Sequence, residues 1–364
     1  MFKNSFLSHA DAAQYNRNLV LNYIKDYGPV SRTQIWENMN LSRASVTMIV
    51  RQLQELNFVD EVGVGESSGG RKPLYLEFNK DSRLMYIVDY WEPSKVYLVN
   101  MAGDIKLESP PLDFPRYCSP SEFSRIVMHG IREIERQIKV DYNLLLGLGF
   151  CLPGTIDSRN GFVLHSVELG WQDVNINALF KKYFPKKIYL ERTGNLMALG
   201  LCNSREDVIS CSHFMLVLLA THGIGASLLI RGSCQHGSNY MVGEIGHSKF
   251  DDETLCSCGQ TGCLEAIIRE DLMHNNGEVG NESLTYLSRA ISSAINLMDT
   301  SLVILTGDLL PKMGNEKQLI LIEMIKTQVV SSKQRRLKIS MVDNCENAII
   351  SGMSAHIFKE HFGV

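Results

Sequence analysis

Near the start of the chain, apolar positions recur at three- and four-residue steps. The segment "LVLNYIKDYG" predicts a helix that stops at Gly28-Pro29, a strong breaker pair. "SRTQIWENMN" offers Ser31 as the cap of a short amphipathic helix ending near Asn40. "LSRASVTMIVRQLQELNFV" follows, with Ser42 as N-cap and an apolar stripe of Val46, Ile49, Val50, Leu53 and Leu56. The texture then turns β-rich. "FVDEVGVG" and "LYLEF" flank the turn "ESSGGRKP" and predict a hairpin with Arg71 and Lys72 at or near its tip. Two short helices, the second well capped, followed by a hairpin predict a winged helix-turn-helix over residues 1–80.

From residue 83 the pattern alternates between β-like and helical segments. "LMYIVDYW" and "KVYLVNMAGDI" read as consecutive strands, and "SEFSRIVMHGIREIERQIKV" as an amphipathic helix. "LLLGLGFCLPGTID" is an apolar strand running into a Pro-Gly loop. "KKIYLE" precedes the helix-like "NLMALGLC"; "HFMLVLLATHGIGASLLI", the helix "SLTYLSRAISSAINLMD" and the strand "SLVILTGD" come next. This alternation predicts an α/β fold, and its two successive blocks predict two lobes around a ligand cleft. The approximate bounds are 83–195 plus a C-terminal helix 346–364 for lobe one, and 196–345 for lobe two. No long internal repeat is visible.

Composition narrows the picture. At 364 residues the chain is too long for one ordinary core, and 45% hydrophobic with 21% charged residues suits a globular protein. The N-terminus lacks the apolar core of a signal peptide. The most apolar run is interrupted well before the roughly 20 residues a membrane helix needs. The expectation is a cytoplasmic protein with no membrane partner. A net charge of −4 argues against indiscriminate nucleic-acid binding but leaves room for a local basic face. From Ser42 to Gln54 the helix carries Arg43 and Arg51 and no acid. Ser42, Arg43, Ser45, Thr47 and Arg51 are the expected contacts to operator DNA in the major groove. Arg71 and Lys72 would lie against its backbone or minor groove. The alternative is a helical protein-interaction module with a solvated charged face.

Of nine cysteines, six are scattered singly and three cluster at Cys256, Cys258 and Cys263. Their spacing is C-x-C-x4-C, with His247 nine residues upstream of the first. Three thiolates and one imidazole complete a tetrahedral zinc sphere with no open position, so one structural zinc ion per chain is expected. The C-x-x-C arrangement that a redox site prefers is absent from the cluster.

The motifs "LPGTID" at 152–157, "LGW" at 169–171, "GEIGH" at 243–247 and "CSCGQTGCLE" at 256–265 carry a resemblance. The chain resembles the ROK family (repressors, open reading frames and sugar kinases) over nearly its whole length. Its winged helix places it beside the family's DNA-binding regulators, because the free-standing kinases lack that domain. The resemblance implies an actin-like ATPase fold, a sugar cleft, and homodimers or dimers of dimers. It also implies that Glu244 and Glu265, with metal-bound His247, accept hydrogen bonds from sugar hydroxyls; otherwise the two glutamates cap or neutralise the metal loop.

Kinases of the family carry an Asn-Asp pair whose Asp is the base. The matching positions in "YLERTGNLMALG" hold Arg192 and Thr193, and a threonine of ordinary pKa cannot take a proton as a carboxylate does. The first phosphate loop reads "DYWEPSK" where the family has Asp-x-Gly. "THGIGA" at 221–226 survives, and "LTGD" at 305–308 has one glycine where the family often has two. Kinase activity is therefore not expected. Arg192 brings five donors near two carboxylates. It either recruits an anionic sugar derivative or pairs with Glu244 or Glu265 and fills the site. The expected function is a repressor of carbohydrate-utilisation genes with a small carbohydrate or sugar-derivative effector. The alternatives are a sugar kinase with an appended DNA-binding domain and a ligand-insensitive regulator.

Overall fold

The computed structural model describes residues 9–64, 74–221, 223–342 and 345–363. The head comprises α1 (His9–Tyr27), β1 (Val30–Ser31), α2 (Arg32–Met39), α3 (Arg43–Glu55), β2 (Val59–Val64) and β3 (Leu74–Phe78). Helix α1 starts well upstream of its first apolar residue, across a polar, alanine-containing stretch that favours helix without showing a stripe. A capping box opens α2. The Gln34 N–H donates to Ser31 Oγ at 3.3 Å, and the Ser31 N–H donates to Gln34 Oε1 at 2.8 Å. Ser42 Oγ accepts the Ser45 N–H at 3.1 Å and caps α3. Val46, Ile49, Val50 and Leu53 are buried, but Leu56 is 40% exposed. The helix has ended by Leu56, whose ψ of 0° turns it out of the expected stripe. The hairpin strands pair in the order β1-β3-β2. Arg71 and Lys72, expected at the wing tip, lie outside the described residues.

The body begins with β4 (Leu84–Asp89), β5 (Lys95–Asn100), β6 (Ile105–Glu108), α4 (Pro120–Glu135), β7 (Leu145–Leu152) and β8 (Thr155–Asp157). The chain continues through β9 (Phe162–Ser166), β10 (Trp171–Asn175), α5 (Ile176–Phe180), β11 (Lys187–Arg192), α6 (Thr193–Ser204) and α7 (Glu206–Ile209). Next come β12 (His213–Ala220), β13 (Gly223–Ile230), β14 (Ser233–Cys234), α8 (Leu264–His274) and α9 (Asn281–Met298). The last elements are β15 (Leu302–Thr306), α10 (Leu309–Gln328), β16 (Lys338–Val342) and α11 (Glu346–Phe362).

Two five-stranded sheets form, ordered β11-β7-β4-β5-β6 and β14-β13-β12-β15-β16. In each, an antiparallel meander is extended beside its first strand by two parallel strands. The repeat that the sequence conceals is thus present in topology. Side-chain alternation builds the layers. Met85 and Ile87 join one core with Leu216, Leu302 and Ile304 of the other sheet, while Tyr86 and Val88 point the opposite way toward Phe123 and Val127 of α4. Met215, Val217, Val303 and Leu305 face a third core with α8, α9 and α10.

Helices α6 and α11 contribute to the shared core, and their backbones touch. A Cβ at Gly352 would lie 1.9 Å from Leu196 O, and one at Gly200 equally close to Ala348 O. A lobe boundary at 195/196 therefore parts two helices that pack directly on one another. Alanine raises helix propensity by about 1 kcal/mol over glycine. Gly352→Ala is nevertheless expected to lower stability by about 1–3 kcal/mol, because backbone cannot yield as a flexible side chain does. Urea denaturation measures the sign; a stabilised variant would contradict the close crossing.

Helix α11 also holds the head. Phe362 meets Phe58 with ring centroids 5.1 Å apart, and Phe358 meets Phe78 edge-on at 5.6 Å. Asn22 Nδ2 donates to Phe362 O at 2.6 Å. Val20, Leu21 and Ile24 of α1 belong to the same core as α6 and α11. Among the described residues, no helix is long and apolar enough to cross a membrane.

Candidate DNA-binding face, metal centre and ligand pocket

The buried stripe of α3 turns Arg43, Ala44, Thr47, Met48 and Arg51 outward, with Met48 56% exposed. The Arg43 guanidinium sits 4.5 Å over the Trp36 ring, which holds it at the helix entrance. Thr47 Oγ1 donates to Arg43 O at 2.8 Å. The hydroxyls of Ser42 and Ser45 pair at 2.8 Å and serve the cap. Arg51 Nε lies 2.9 Å from Glu55 Oε1, an acid one residue beyond the stretch read as acid-free. Both partners are exposed, so that pair is weak and Arg51 can exchange it for a phosphate. Ala44 and Met48 share this outward face and carry neither the charge nor the hydroxyl that marks its other members in sequence. Their signal was position, three or four residues apart on the side opposite the buried stripe. Small and apolar groups there suit a thymine methyl.

The structure brings His247, Cys256, Cys258 and Cys263 together, with all four ligand atoms within 4.8 Å of one another. Cys258 Sγ and Cys263 Sγ are 3.7 Å apart, and Cys256 Sγ lies 3.8 Å from His247 Nδ1. A tetrahedral ion bound to sulfur at ~2.3 Å and to nitrogen at ~2.0 Å has edges of roughly 3.5–3.8 Å, so these contacts fit one centre. The loop earns this shape through backbone contacts. The Cys256 N–H donates to Gln260 O at 2.8 Å and the Phe250 N–H to Gly262 O at 2.8 Å. Gly262 has φ 76°, and a Cβ there would lie 1.7 Å from Asp251 O, so only glycine fits. Cys263 is also the N-cap residue of α8 and places Glu265 in its first turn.

The thiols cannot all ionise without a cation. Burial, reinforced by the Cys258 and Cys256 thiols, pushes Cys263 up to about 12, and burial likewise raises Cys256. Burial opposes ionisation of Cys258, yet the Gln260 backbone and the two neighbouring thiols outweigh it and pull Cys258 down. Three crowded thiols beside an imidazole could hold a metal ion. The remaining cysteines, Cys118, Cys151, Cys202, Cys211, Cys234 and Cys345, are free and buried or half-buried.

The loop that carries this cluster also brings two carboxylates to His247. Glu244 Oε2 and Glu265 Oε1 each lie 3.8 Å from a ring nitrogen of His247. Arg192, at the end of β11, reaches in from the other side. Its Nη1 donates to Glu244 Oε1 at 2.9 Å. Its Nη2 donates to Val242 O at 2.8 Å and Ala226 O at 3.1 Å, with Asn195 Oδ1 at 3.4 Å. Gly243 makes this approach feasible: at φ 91° a Cβ would lie 1.8 Å from Ala226 O. Of the four residues expected to meet ligand, the structure thus gathers Glu244, His247 and Glu265 and shows Arg192 bonded across Glu244.

Beside Arg192 lies a cluster that sequence reasoning did not find. Glu191 is 1% exposed and binds His236 Nε2 at 2.6 Å, Asn195 Nδ2 at 2.9 Å and the Arg192 N–H at 2.8 Å. Burial works to raise the Glu191 carboxyl, but the His236 hydrogen bond and charge outweigh it and hold it below the usual range. Its only signal was a glutamate at the end of an apolar strand. A depressed carboxylate contributes stability above its unfolded pKa and loses it as pH falls through the folded value. Wild type is therefore expected to lose stability on acidification below about pH 4.5 through this group. Glu191→Ala should cost about 3 kcal/mol at neutral pH and flatten that acid-side loss, both readable from denaturation at several pH values.

The positions that the resemblance matches to the kinase base and the first phosphate loop are Thr193 and the turn after Asp89. Thr193 is buried at the start of α6. Asp89 is buried, and its Oδ1 accepts the Trp91 N–H at 3.0 Å across the β4–β5 turn. Where "THGIGA" meets "LTGD", Asp308 Oδ1 accepts the Thr221 N–H at 2.8 Å, and Lys312 Nζ reaches Asp308 Oδ2 at 3.2 Å. A carboxylate thus occupies the backbone donor that a phosphate loop would offer to nucleotide.

Two five-stranded sheets of one topology, preceded by a small head of helices and a hairpin, define a two-lobed α/β protein with an N-terminal head. The ROK family model matches residues 112–276, and the chain belongs to the ROK family. A candidate xylose repressor of Caldicellulosiruptor sp. (strain Rt8B.4) is 31% identical over 271 residues, which span 72% of this chain and 66% of that protein. The xylose repressor of Bacillus subtilis (strain 168) is 27% identical over 277 residues, 74% of this chain and 70% of that protein. The match thus spans about two thirds of the length of these relatives. A solved ROK family transcriptional regulator, described as a homologue of the E. coli MLC protein, shares the fold with a TM-score of 0.78 at 20% identity, over 97% of each chain. The ROK hexokinase from Thermus thermophilus fits with a TM-score of 0.57 at 18% identity, covering 76% of this chain and 99% of its own.

Proposed function

We propose that this protein is a DNA-binding transcriptional repressor of carbohydrate-utilisation genes. In this reading α3 reads operator DNA and a zinc-clipped pocket senses a sugar-derived effector. The observation that carries it is the outward face of α3, set on a head that shares one core with α6 and α11. Arg192 and Thr193, at the pocket, begin the region where β11 passes into α6; α6 crosses α11 at glycine contact, and α11 grips Phe58 and Phe78 of the head. Opening the pocket can thus bias the head through packed elements that have few ways to rearrange. As in most such readers, two heads of a homodimer, or of a dimer of dimers, would address paired half-sites.

His247, Cys256, Cys258 and Cys263 would hold zinc, which supplies rigidity to the loop bearing Glu244 and Glu265. The geometry supports a latched pocket over one that already waits for an anion, because Glu244 and two backbone carbonyls engage Arg192. A neutral sugar must displace a half-buried ion pair to reach Glu244. Kinase chemistry is disfavoured by buried Thr193 and by the Asp308–Thr221 contact.

The DNA claim is tested on the full chain by fluorescence anisotropy. Met48→Asp sets a carboxylate on the face turned to the groove and is expected to weaken operator binding at least tenfold. Arg51→Ala should weaken binding across all sequences and reduce the salt slope by about one. Unchanged affinity in both variants would remove α3 as the reading helix.

A further inference from the structure

A cavity of about 610 Å³ opens on the body, and its lining includes none of Arg192, Glu244, His247 and Glu265. Its rim carries Arg159 from the β8–β9 turn, Lys181 after α5, and Lys186 and Lys187 at the start of β11. Its wall is the α11 face bearing His356 and Glu360, and its floor includes Phe184 and Tyr189. Lys187 Nζ lies 3.2 Å from Glu360 Oε2, the one acid of the lining. Among the described residues, Arg159, Lys181 and Lys186 have no ion-pair partner. Four cations and one carboxylate around a concave, partly apolar space leave an excess of positive charge at the cavity. The volume falls in the range of small-molecule sites, roughly 300–1,000 Å³, whereas an extended polymer uses an open groove. Arginine and lysine together suit a phosphate, the first by its planar fork and the second as a point charge.

We propose that this basic cavity binds a phosphorylated small metabolite and that the bound anion acts on DNA affinity through α11. His356 and Glu360 lie on α11, and Phe358 and Phe362 of the same helix hold the head. A phosphate that takes Lys187 from Glu360 therefore alters charge on the helix to which the head is attached. The cavity includes no residue of the latch at Arg192, and its effect on operator affinity rests on the DNA-binding reading above.

Isothermal titration of the full chain with ribose 5-phosphate, and with ribose as the uncharged control, tests the site. Saturable binding of the phosphate ester and none of ribose is expected. The double variant Lys181→Ala/Lys186→Ala should weaken binding at least tenfold, while Lys182→Ala, next in the chain but outside the lining, and Arg192→Ala should leave it unchanged. Inorganic pyrophosphate should compete. Absence of saturable binding by either phosphate probe, or binding that the double variant leaves intact, overturns the site. Loss of binding in Arg192→Ala moves the anion to the latched pocket and overturns it too. Binding that leaves operator affinity unchanged overturns the regulatory half.

Discussion

Replacing Cys263 with serine is expected to abolish metal binding and to cost at least about 3 kcal/mol of stability, a modest part of the ~10–16 kcal/mol that structural zinc supplies to small domains. Cys263 is a ligand candidate, is 1% exposed, and occupies the position just before α8. Its loss leaves two thiols and an imidazole that cannot close a tetrahedron, and it loosens the turn that sets Glu265. Metal analysis should find one zinc per wild-type chain and none in the variant. Prolonged dialysis against a strong chelator should lower the wild-type melting temperature toward that of the variant. A wild-type chain purified without metal, and with a melting point indifferent to both zinc and chelator, would show that the cluster is only a knot of buried thiols.

Arg192→Ala carries the second large effect. The substitution removes the cation that engages Glu244, Val242 O and Ala226 O. Glu244 is then free to accept vicinal hydroxyls beside His247 and Glu265. Neutral monosaccharides should leave the melting temperature of wild type unmoved and raise that of the variant. At a sugar concentration of 100 Kd, linkage stabilises the variant by about 2.7 kcal/mol, a rise of several degrees. Alanine also exposes two backbone carbonyls to solvent, which the ligand or water can satisfy. A shift of wild type by a neutral sugar would show that the latch is no barrier. A shift of wild type by a sugar acid, lost in the variant, would favour recruitment of an anion by Arg192.

The sequence revealed patterns that are local. Ser31 and Ser42 announced their helices because a cap acts over three residues, and the stripe Val46, Ile49, Val50, Leu53 fixed which side of α3 is outward. The metal cluster was legible because four ligands lie within seventeen residues of chain. The pairing of Arg192 with Glu244 was open to inference only as one of two outcomes. Its partners are set by where β11 ends relative to a loop fifty-two residues away. The Glu191–His236 pair and the basic cavity were invisible for the same reason, since each is assembled from elements that meet only in the folded chain. The twin sheets were hidden differently. Apolar strands of one topology tolerate many sequences, so a repeat in strand order left none in residues.

The proposed function requires that this chain read DNA and leave sugar unphosphorylated. It is measured by selection of bound fragments from the genomic DNA of its source by the full 364-residue chain at physiological salt, repeated with Met48→Asp. Enrichment of a few sites containing paired half-sites, bound in a salt-dependent manner and lost in the variant, is expected. Equal recovery of all fragments by both proteins, together with ATP-dependent phosphorylation of a monosaccharide by the wild type, would contradict it.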